Sequence, residues 1–434
     1  AGHIEGATRA PLPSAVAPER ATPARPAPPV GWRRTFISLH NRDFLYLWLG
    51  FLLAWAGLSM QMLTRGYLAY DLTNSAGILG LITASGAISM AALSLVGGAI
   101  ADRANRKHLI LGFQGASALL ALVVGILIAT NNIAWWHLLA AAVVQGGLFS
   151  FMAPARQSLI PELVPKDQVN NAIALNAAGM SLTTLLAPAL GGAIYALAGP
   201  DAVYFLVTAF AAGALLLTGR LPESDSHESA EPRPISEIAG EIKAGLMYTW
   251  HSKLVLVLLA ASITTAILAA PFQFLMPALV VDTYGRGPEA LGLLAATTGV
   301  GALAGSLMVA SMKERRRGLL MIGASLMTGV ALLLVAVLPF FVAALLLMIP
   351  LGLGGTARMT INQALMIEVV SEKYRGRIMS VFMLSWGLIP IGVLPAGLLA
   401  DWAGVQVSLG VMAALLIAVT LLIYATQPRL RAVR

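Results

Sequence analysis

The chain of 434 residues has no cysteine, which excludes disulfide bonds, thiolate zinc sites and cysteine nucleophiles. Its six histidines lie in loops or near predicted helix ends, and no two of them have the spacing of metal ligands. An enzyme embedded in a membrane would need a polar catalytic cluster inside its apolar segments, and the sequence offers neither a histidine pair nor a pair of acids there. We therefore expect no metal, no cofactor and no catalytic activity.

Charged residues are also scarce. Only 11% of the residues are charged and 58% are hydrophobic, whereas about a quarter of a soluble domain is charged. Many apolar segments exceed roughly 18 residues, the length at which a membrane-spanning helix is the default interpretation. Because a segment in lipid must satisfy its own backbone hydrogen bonds, segments this long predict α-helices.

Twelve apolar segments follow one another along the chain, with polar breaks between them. They cover residues 44–70, 76–101, 108–130, 135–155, 169–198, 202–221, 253–281, 287–312, 318–338, 340–364, 378–400 and 404–427. The sequence therefore predicts an all-α membrane protein with twelve transmembrane helices.

The longest polar break, residues 222–252, divides these segments into two sets of six. We expect two six-helix bundles, at 36–221 and 253–427, joined by this cytoplasmic linker. Residues 1–35 are rich in proline and alanine and predict a disordered tail, and 428–434 form a second cytoplasmic tail.

The basic residues predict the orientation. If the N-terminus is cytoplasmic, almost all Lys and Arg residues fall on the cytoplasmic side, including Arg156 and Lys166 after the fourth segment, and the outer loops contain only Arg286. This asymmetry is typical of proteins in the plasma (inner) membrane with both termini in the cytoplasm. It also explains the net charge of +8 without a nucleic-acid partner.

The two halves repeat each other weakly. Residues 156–165 match 362–371, and this alignment sets Glu162 beside Glu368. Both stretches join the fourth and fifth segments of their half. A two-fold repeat of six-helix units is the layout of many transporters.

A short stretch between the second and third segments combines a glycine, an acid and three basic residues: Gly98, Asp102, Arg103, Arg106 and Lys107. It resembles the loop signature of the major facilitator superfamily and departs from it at Asn105, where that family usually has glycine. Asn tolerates a left-handed backbone almost as well as glycine, so the departure is mild. The alternative is that these are ordinary cytoplasmic charges.

The resemblance implies a cytoplasmic gate between the halves. Asp102 is expected to face the N-terminal end of the eleventh helix in the other half, near Gly376 to Met379, and Arg377 in this stretch is counted as part of the gate. Arg106 and Lys107 are expected to pair with acids such as Glu162 at the inner end of the fourth helix. These contacts would hold the cytoplasmic side closed and break when it opens.

A second motif, Ala187 to Gly192 in the fifth segment, resembles the motif of antiporters and exporters of the superfamily. Pro188 is expected to kink the helix, while Gly191 and Gly192 permit close packing. The alternative is a general Pro/Gly kink, because both residues are common in membrane helices.

A third resemblance rests on an ordered set of short pieces that span most of the chain. They are Asp43-Phe44, Trp48-Leu49-Gly50, Met60-Gln61, Tyr70-Asp71-Leu72-Thr73, Ala153-Pro154-Ala155-Arg156-Gln157, Pro161 to Pro165 and Tyr374-Arg375-Gly376-Arg377. Together they resemble the branch of enterobactin exporters, macrolide efflux proteins and other drug or siderophore exporters.

The resemblance implies a secondary transporter that exports amphipathic small molecules by alternating access. We expect a monomer in the lipid bilayer, with protons as the coupling ion. The alternative is a lipid or lysophospholipid transporter of the same fold.

In this superfamily the first, fourth, seventh and tenth helices line the central cavity. The candidate cavity residues are Gln61, Arg65, Gln145, Thr265, Phe272, Gln273, Arg358 and Asn362, with Trp386 of helix 11 as an aromatic wall. Arg65 and Arg358 are charges within apolar segments, which suit a carboxylate, catecholate or phosphate. The alternatives are that Arg65 extends to the outer surface and that Arg358 pairs structurally. All twenty acids lie in loops or near helix ends, so no proton carrier is identified. The alternatives to a carrier within the membrane are a facilitator without coupling and a proton site at a gate.

Overall fold

The computed structural model describes residues 36–101, 105–222, 240, 247–250, 252–312 and 316–428. Nearly all of them are helical. The helices of the first half are α1 Arg42–Thr73, α2 Ala76–Ala101, α3 Arg106–Ala129, α4 Trp135–Leu163, α5 Val169–Ala198 and α6 Pro200–Gly219. In the second half, α7 consists of Lys253–Leu268, Ala270–Ala278 and Leu279–Thr283, and it is followed by α8 Pro288–Ser311, α9 Arg317–Val337 and α10 Phe341–Val369. The last two are α11, in the segments Glu372–Leu384, Ser385–Leu388 and Ile389–Ala403, and α12 Val405–Thr426.

Eleven helices of the described residues are long and apolar enough to cross a membrane. α11 is divided by a 3-10 turn at Ser385–Leu388, which leaves an apolar piece of 15 residues after it. The predicted all-α membrane fold is confirmed, and most helix ends lie within a few residues of the predicted bounds. The largest difference among the first-half helices is at the end of α4, which continues to Leu163 instead of ending at residue 155.

Asn105 has a different role from the one its place in the loop motif predicts. Its φ is −59°, so it does not use the left-handed conformation that the superfamily's glycine would allow. Its side chain instead accepts hydrogen bonds from the backbone N–H groups of Lys107 and His108, at 3.0 and 3.3 Å. Asn is a favoured N-cap residue because it satisfies such free donors. The substitution therefore gives α3 a cap.

The buried apolar side chains form one shared core and two separate ones. We call the end of the bundle with the α1–α2 and α11–α12 connections the outer end, following the orientation predicted from the basic residues. There, side chains of both halves pack in one cluster, with Met60, Leu68 and Tyr204 of the first half and Leu275 and Leu294 of the second.

At the inner end, each half has a core of its own. Phe44, Leu47 and Ile110 belong to a cluster of first-half residues only. Leu258 and Met321 belong to a cluster of second-half residues only. The described residues therefore pack the halves together at the outer end, where apolar burial stabilises the contact.

Backbone contacts between the halves reinforce the outer end. A Cβ atom on Gly192 of α5 would lie 2.5 Å from the carbonyl oxygen of Pro288, and one on Gly292 of α8 would lie 2.6 Å from that of Pro188. On the other side of the bundle, a Cβ on Gly397 of α11 would lie 2.5 Å from the carbonyl oxygen of Ala76. Small residues allow membrane helices to approach this closely.

We predict that Gly192→Ala loosens the outer contact between the halves. The added methyl group must displace the backbone of α8, and overpacking of this kind costs about 1–3 kcal/mol. The chain has no cysteine, so one reporter cysteine at Ala76, which is 3% exposed, can be labelled specifically. Its labelling by a membrane-impermeant maleimide from outside should become at least about fivefold faster.

Gly112→Ala is the matched control, because a Cβ atom there would meet nothing within 4 Å. It should leave the labelling of the Ala76→Cys reporter unchanged. Equal rates for Gly192→Ala and Gly112→Ala would show that the α5–α8 contact does not limit opening of the outer end.

Candidate functional site

A polar network links α1 and α4 in the middle of the first half. Arg65 donates a hydrogen bond of 2.8 Å to Oε1 of Gln145, whose Nε2 donates one of 2.6 Å to Oε1 of Gln61. Gln61 is only 3% exposed. The structure therefore brings together three residues that the sequence proposes for the cavity. Side-chain networks of this kind fix the orientation of their members.

Arg65 has no carboxylate partner among the residues that the structure describes. In the part of the chain that the structure describes, no ion pair includes Arg65, and its hydrogen bond goes to a neutral amide. The guanidinium is thus held beside α4 and its charge is not balanced by an acid. A buried charge without a counter-ion is costly, and an anionic ligand would offset that cost.

Arg358 on α10 is in a similar position. It is partly buried, its Nε atom has no hydrogen-bond partner, and no ion pair among the described residues includes it. Asn362, one turn further along, is 1% exposed and donates hydrogen bonds to the carbonyl of Leu258 and to the hydroxyl of Ser262. Asn362 therefore ties α10 to α7 within the second half.

The remaining candidates on α7 lie apart from these arginines. Phe272 is 3% exposed and belongs to the shared outer core, whereas Gln273 is exposed. The Thr265 hydroxyl donates to the carbonyl of Ala261 in its own helix and borders a narrow cavity between α7, α9 and α12. In this structure these three residues do not join the network around Arg65.

Arg156 is a third guanidinium within a helix, and its predicted position in a loop after the fourth segment is wrong. Because α4 continues to Leu163, Arg156 lies inside it. Its guanidinium carbon lies 3.1 Å from the ring centroid of Phe51, and one nitrogen donates a hydrogen bond of 2.6 Å to Oδ1 of Asn176. One signal in the sequence could have indicated a longer helix. Arg156 follows Met152 by four residues, so a helix that continues past residue 155 places both on the same face.

The inner end of each half carries an ion pair. Arg106 contacts Glu162, and Arg317 contacts Glu368 at 2.9 Å. The first pair joins α3 to α4 and the second joins α9 to α10. Each pair therefore lies within one half and cannot by itself hold the two halves together.

Parts of the expected cytoplasmic gate lie outside the described residues. Asp102 and Arg103 fall in the gap between residues 101 and 105. The surroundings of Gly98 and the side chains of Arg377 and Trp386 are likewise outside the description. Lys107 is 9% exposed at the start of α3.

The helix 5 motif contacts two neighbours. A Cβ atom on Gly191 would lie 3.2 Å from Cγ of Met60 on α1, while Gly192 and Pro188 meet α8 of the other half. Pro188 lies inside α5. The motif thus lies where the outer parts of α1, α5 and α8 meet.

Two acids of the second half hold the outer end through hydrogen bonds, which the sequence analysis does not predict. Asp401 accepts bonds from the Ser75 hydroxyl at 2.7 Å and from the backbone N–H groups of Ala76 and Gly77 at 2.6 and 3.0 Å. These groups form the N-terminal end of α2, where a negative charge is favourable. Nearby, the Tyr70 hydroxyl donates a bond of 2.5 Å to Asp282. We call these two contacts the outer gate.

Two six-helix halves, whose described residues share a core at the outer end and give Arg65 and Arg358 no acidic partner, have the fold of a transporter of the major facilitator type. The sequence matches the family described as transmembrane secretion effector over residues 34–433, so the chain belongs to that family. It is a multi-pass membrane transporter of the efflux branch of the major facilitator superfamily, which exports small molecules.

Relatives of known sequence agree. Macrolide efflux protein A of Streptococcus pyogenes is 24% identical over 82% of this chain and 91% of its own length. The multidrug efflux pump Tap of Mycolicibacterium fortuitum is 24% identical over 82% of this chain and 88% of its own. The staphyloferrin A transporter of Staphylococcus aureus is 22% identical over 91% of this chain and 96% of its own.

A solved structure supports the fold. A bacterial homolog of the human lysosomal transporter Spinster, in an inward-facing and unoccupied conformation, superposes with a TM-score of 0.72. The match covers 92% of this chain and 98% of that one at 14% identity. At this identity the likeness concerns the fold alone.

We predict that Asp401→Asn weakens the outer gate. The amide keeps the shape of the carboxylate but loses its charge and places an NH₂ group near donors, and hydrogen bonds to a charged group are worth about 1.5–3 kcal/mol. A reporter cysteine at Ala290, which is 4% exposed in the shared outer core, should be labelled from outside about tenfold faster.

Asp201→Asn serves as the control, because Asp201 lies in the first turn of α6 beside Gly199 of its own half. It should leave the Ala290→Cys reporter as slow as in the parent protein. If Asp401→Asn behaves like Asp201→Asn, the contact of Asp401 with α2 does not stabilise outer closure.

Proposed function

We propose that this protein exports amphipathic small molecules with an anionic group by alternating access, as a monomer in the plasma membrane with both termini in the cytoplasm. The observation that carries the proposal is the pair of unbalanced guanidinium groups, Arg65 and Arg358, within helices whose described residues share a core between the halves at the outer end. Arg65, Gln145 and Gln61 would bind the anionic group from the first half. Arg358 would approach it from the second.

The arrangement of the cores supports alternating access. Among the described residues, a shared outer core with separate inner cores is the arrangement expected of an inward-open state, which admits substrate from the cytoplasm. The outer gate consists of only a few charge-assisted hydrogen bonds, each worth about 1.5–3 kcal/mol. A substrate or proton that shifts the equilibrium by a few kcal/mol can therefore change which side is open.

The charge balance supports an anionic substrate. In the described helices, Asp282 and Asp401 lie at outer ends, and Glu162 and Glu368 lie at inner ends. No acid among them is paired with Arg65 or Arg358. The names of the relatives cover macrolides, multiple drugs and staphyloferrin A, so they leave the substrate class open. The arginines favour carboxylates or related anions, because the guanidinium fork binds them with two hydrogen bonds.

Proton coupling would act at the outer gate. Asp282 and Asp401 accept the hydrogen bonds that join the halves, and protonation would remove the charge that makes those bonds strong. Tyr284, which follows α7, would not take part, because burial raises the pKa of its hydroxyl to about 12 and keeps it neutral.

We predict that expression in cells without their own exporters lowers the accumulation of an anionic amphipath, and that a protonophore abolishes this effect. The panel should contain a macrolide, an aromatic carboxylate, a citrate-type siderophore and a lysophospholipid. Arg65→Gln and Arg358→Ala should each reduce export of the carboxylate at least about tenfold, because a charge-assisted bidentate contact is lost. Export of a cationic or neutral compound should fall much less.

The matched control is Arg286→Gln, which removes a guanidinium 4.6 Å from the Phe341 ring in an outer connection. It should export the whole panel normally. Equal loss of all substrates in the Arg65 and Arg358 variants would assign both residues a structural role. If the protein transports the lysophospholipid and no other compound of the panel, its function is lipid transport and not the export of small molecules.

A further inference from the structure

We infer that the facing sides of α1 and α4 bind an aromatic carboxylate, with Arg156 holding the carboxylate at the inner end. This inference rests on the proposed function and adds to it a substrate class and a binding residue. According to this inference, a substrate that enters from the cytoplasm contacts Arg156 first and Arg65 later.

One face of α4 carries the residues concerned at intervals of four, three and four. These are Gln145, Phe149, Met152 and Arg156. Such spacing keeps side chains on the same side of a helix. The facing side of α1 carries Phe51, Trp55, Leu58, Gln61 and Arg65. Each helix therefore presents polar and aromatic groups to the other along several turns.

Three aromatic rings form a continuous strip between the helices. The ring centroids of Phe51 and Trp55 are 5.8 Å apart, and those of Trp55 and Phe149 are 6.3 Å apart. The guanidinium of Arg156 covers the ring of Phe51 at the inner end of the strip. Rings at these distances offer faces and edges on which a further aromatic group can stack. We call Phe51, Trp55 and Phe149 the aromatic strip.

The aromatic strip has one guanidinium against its inner end and a second one further along α1. Arg65 lies fourteen residues beyond Phe51 on α1, or about 21 Å at 1.5 Å per residue. Arg156 lies against Phe51, and no ion pair in the described ranges includes it. A carboxylate that enters from the inside therefore meets Arg156 first, and its aromatic part then lies along the strip in the direction of Arg65.

A cavity of about 60 Å³ opens beside the aromatic strip. All three rings of the strip line it, together with Gln61 of α1 and Gln114 of α3. Gln114 is 6% exposed, and its Oε1 has no hydrogen-bond partner among the described residues. Because buried polar atoms are normally satisfied, this atom points to a ligand or water there. The cavity fits a polar substituent of the substrate, while the larger ring lies on the strip.

Arg156 still has hydrogen-bonding capacity for such a ligand. Its known partners are the neutral oxygen of Asn176 and the face of Phe51, and its Nε atom is buried without a partner. Neither partner carries a negative charge. A guanidinium that served only to join helices would be better balanced by a carboxylate at residue 176. The neutral Asn176 leaves the charge available to a substrate.

The first test compares two fluorescent probes that differ in one group. The full-length protein in lipid nanodiscs is titrated with 1-pyrenebutyrate and with 1-pyrenebutanol, which has the same ring and no carboxylate. Arg156→Gln should weaken binding of the acid about tenfold or more, because a charge-assisted hydrogen bond is lost, and should change binding of the alcohol little. Arg156→Lys should restore most of the preference for the acid.

A second variant keeps the arginine and adds a competing charge. Asn176→Asp places a carboxylate where the amide oxygen accepts a bond of 2.6 Å from Arg156. It should preserve or raise thermal stability, yet remove most of the preference for the acid probe. A structural Arg156 would instead be strengthened by Asn176→Asp, with both probes bound as before. The result does not depend on whether Arg156→Gln folds.

The matched control is Arg220→Gln, because Arg220 also lies over an aromatic ring, that of Tyr46, at 5.8 Å in the same half. It should bind both probes like the parent protein. The inference is overturned if Asn176→Asp leaves the acid preference intact, or if Arg156→Gln weakens both probes equally. The assay measures binding without transport, so a protein that fails to export but discriminates the probes refutes the proposed function and retains this inference.

Discussion

The scarcity of partners for buried charge is the constraint on which the rest of the structure depends. In lipid, an unbalanced charge cannot be satisfied by water and must find a partner in the protein or in its ligand. Here the described acids lie at helix ends, while Arg65, Arg156 and Arg358 lie within helices without an ion pair. Neutral amides and an aromatic ring hold two of these guanidinium groups in place. The missing negative charge is what the proposed substrate brings.

Hydrophobic length predicts the fold well, because the thickness of the membrane sets the length of each helix. Composition near a helix end predicts the boundary less well. The predicted end of α4 at residue 155 is wrong, because Arg156 has the charge that is typical of a loop. The helix continues to Leu163. The prediction for Asn105 fails for the same reason. Its role as an N-cap could be recognised only once the first residue of α3 was known. Both errors concern local polarity at the edge of the membrane, where helix and loop have similar compositions.

The candidate site could be predicted only in part, since sequence spacing shows which residues share a helix face but not which faces meet. Gln61 and Arg65 share a face of α1, and the structure adds Gln145 from α4 as their partner. Thr265 and Phe272 lie elsewhere because α7 turns them to packing contacts. The contact of Asp401 with Ser75 joins residues 326 positions apart, and no local pattern indicates it.

The two halves have different tasks, despite their repeat. The first half contains Gln61, Arg65, Gln145 and Arg156, together with the aromatic strip. The second half supplies the two acids of the outer gate, and α2 and Tyr70 of the first half supply the donors. A rocking motion would break the outer gate without separating α1 from α4. The groups that we propose to bind the substrate could therefore keep their geometry while access to them changes from one side to the other, which is the property that alternating access requires.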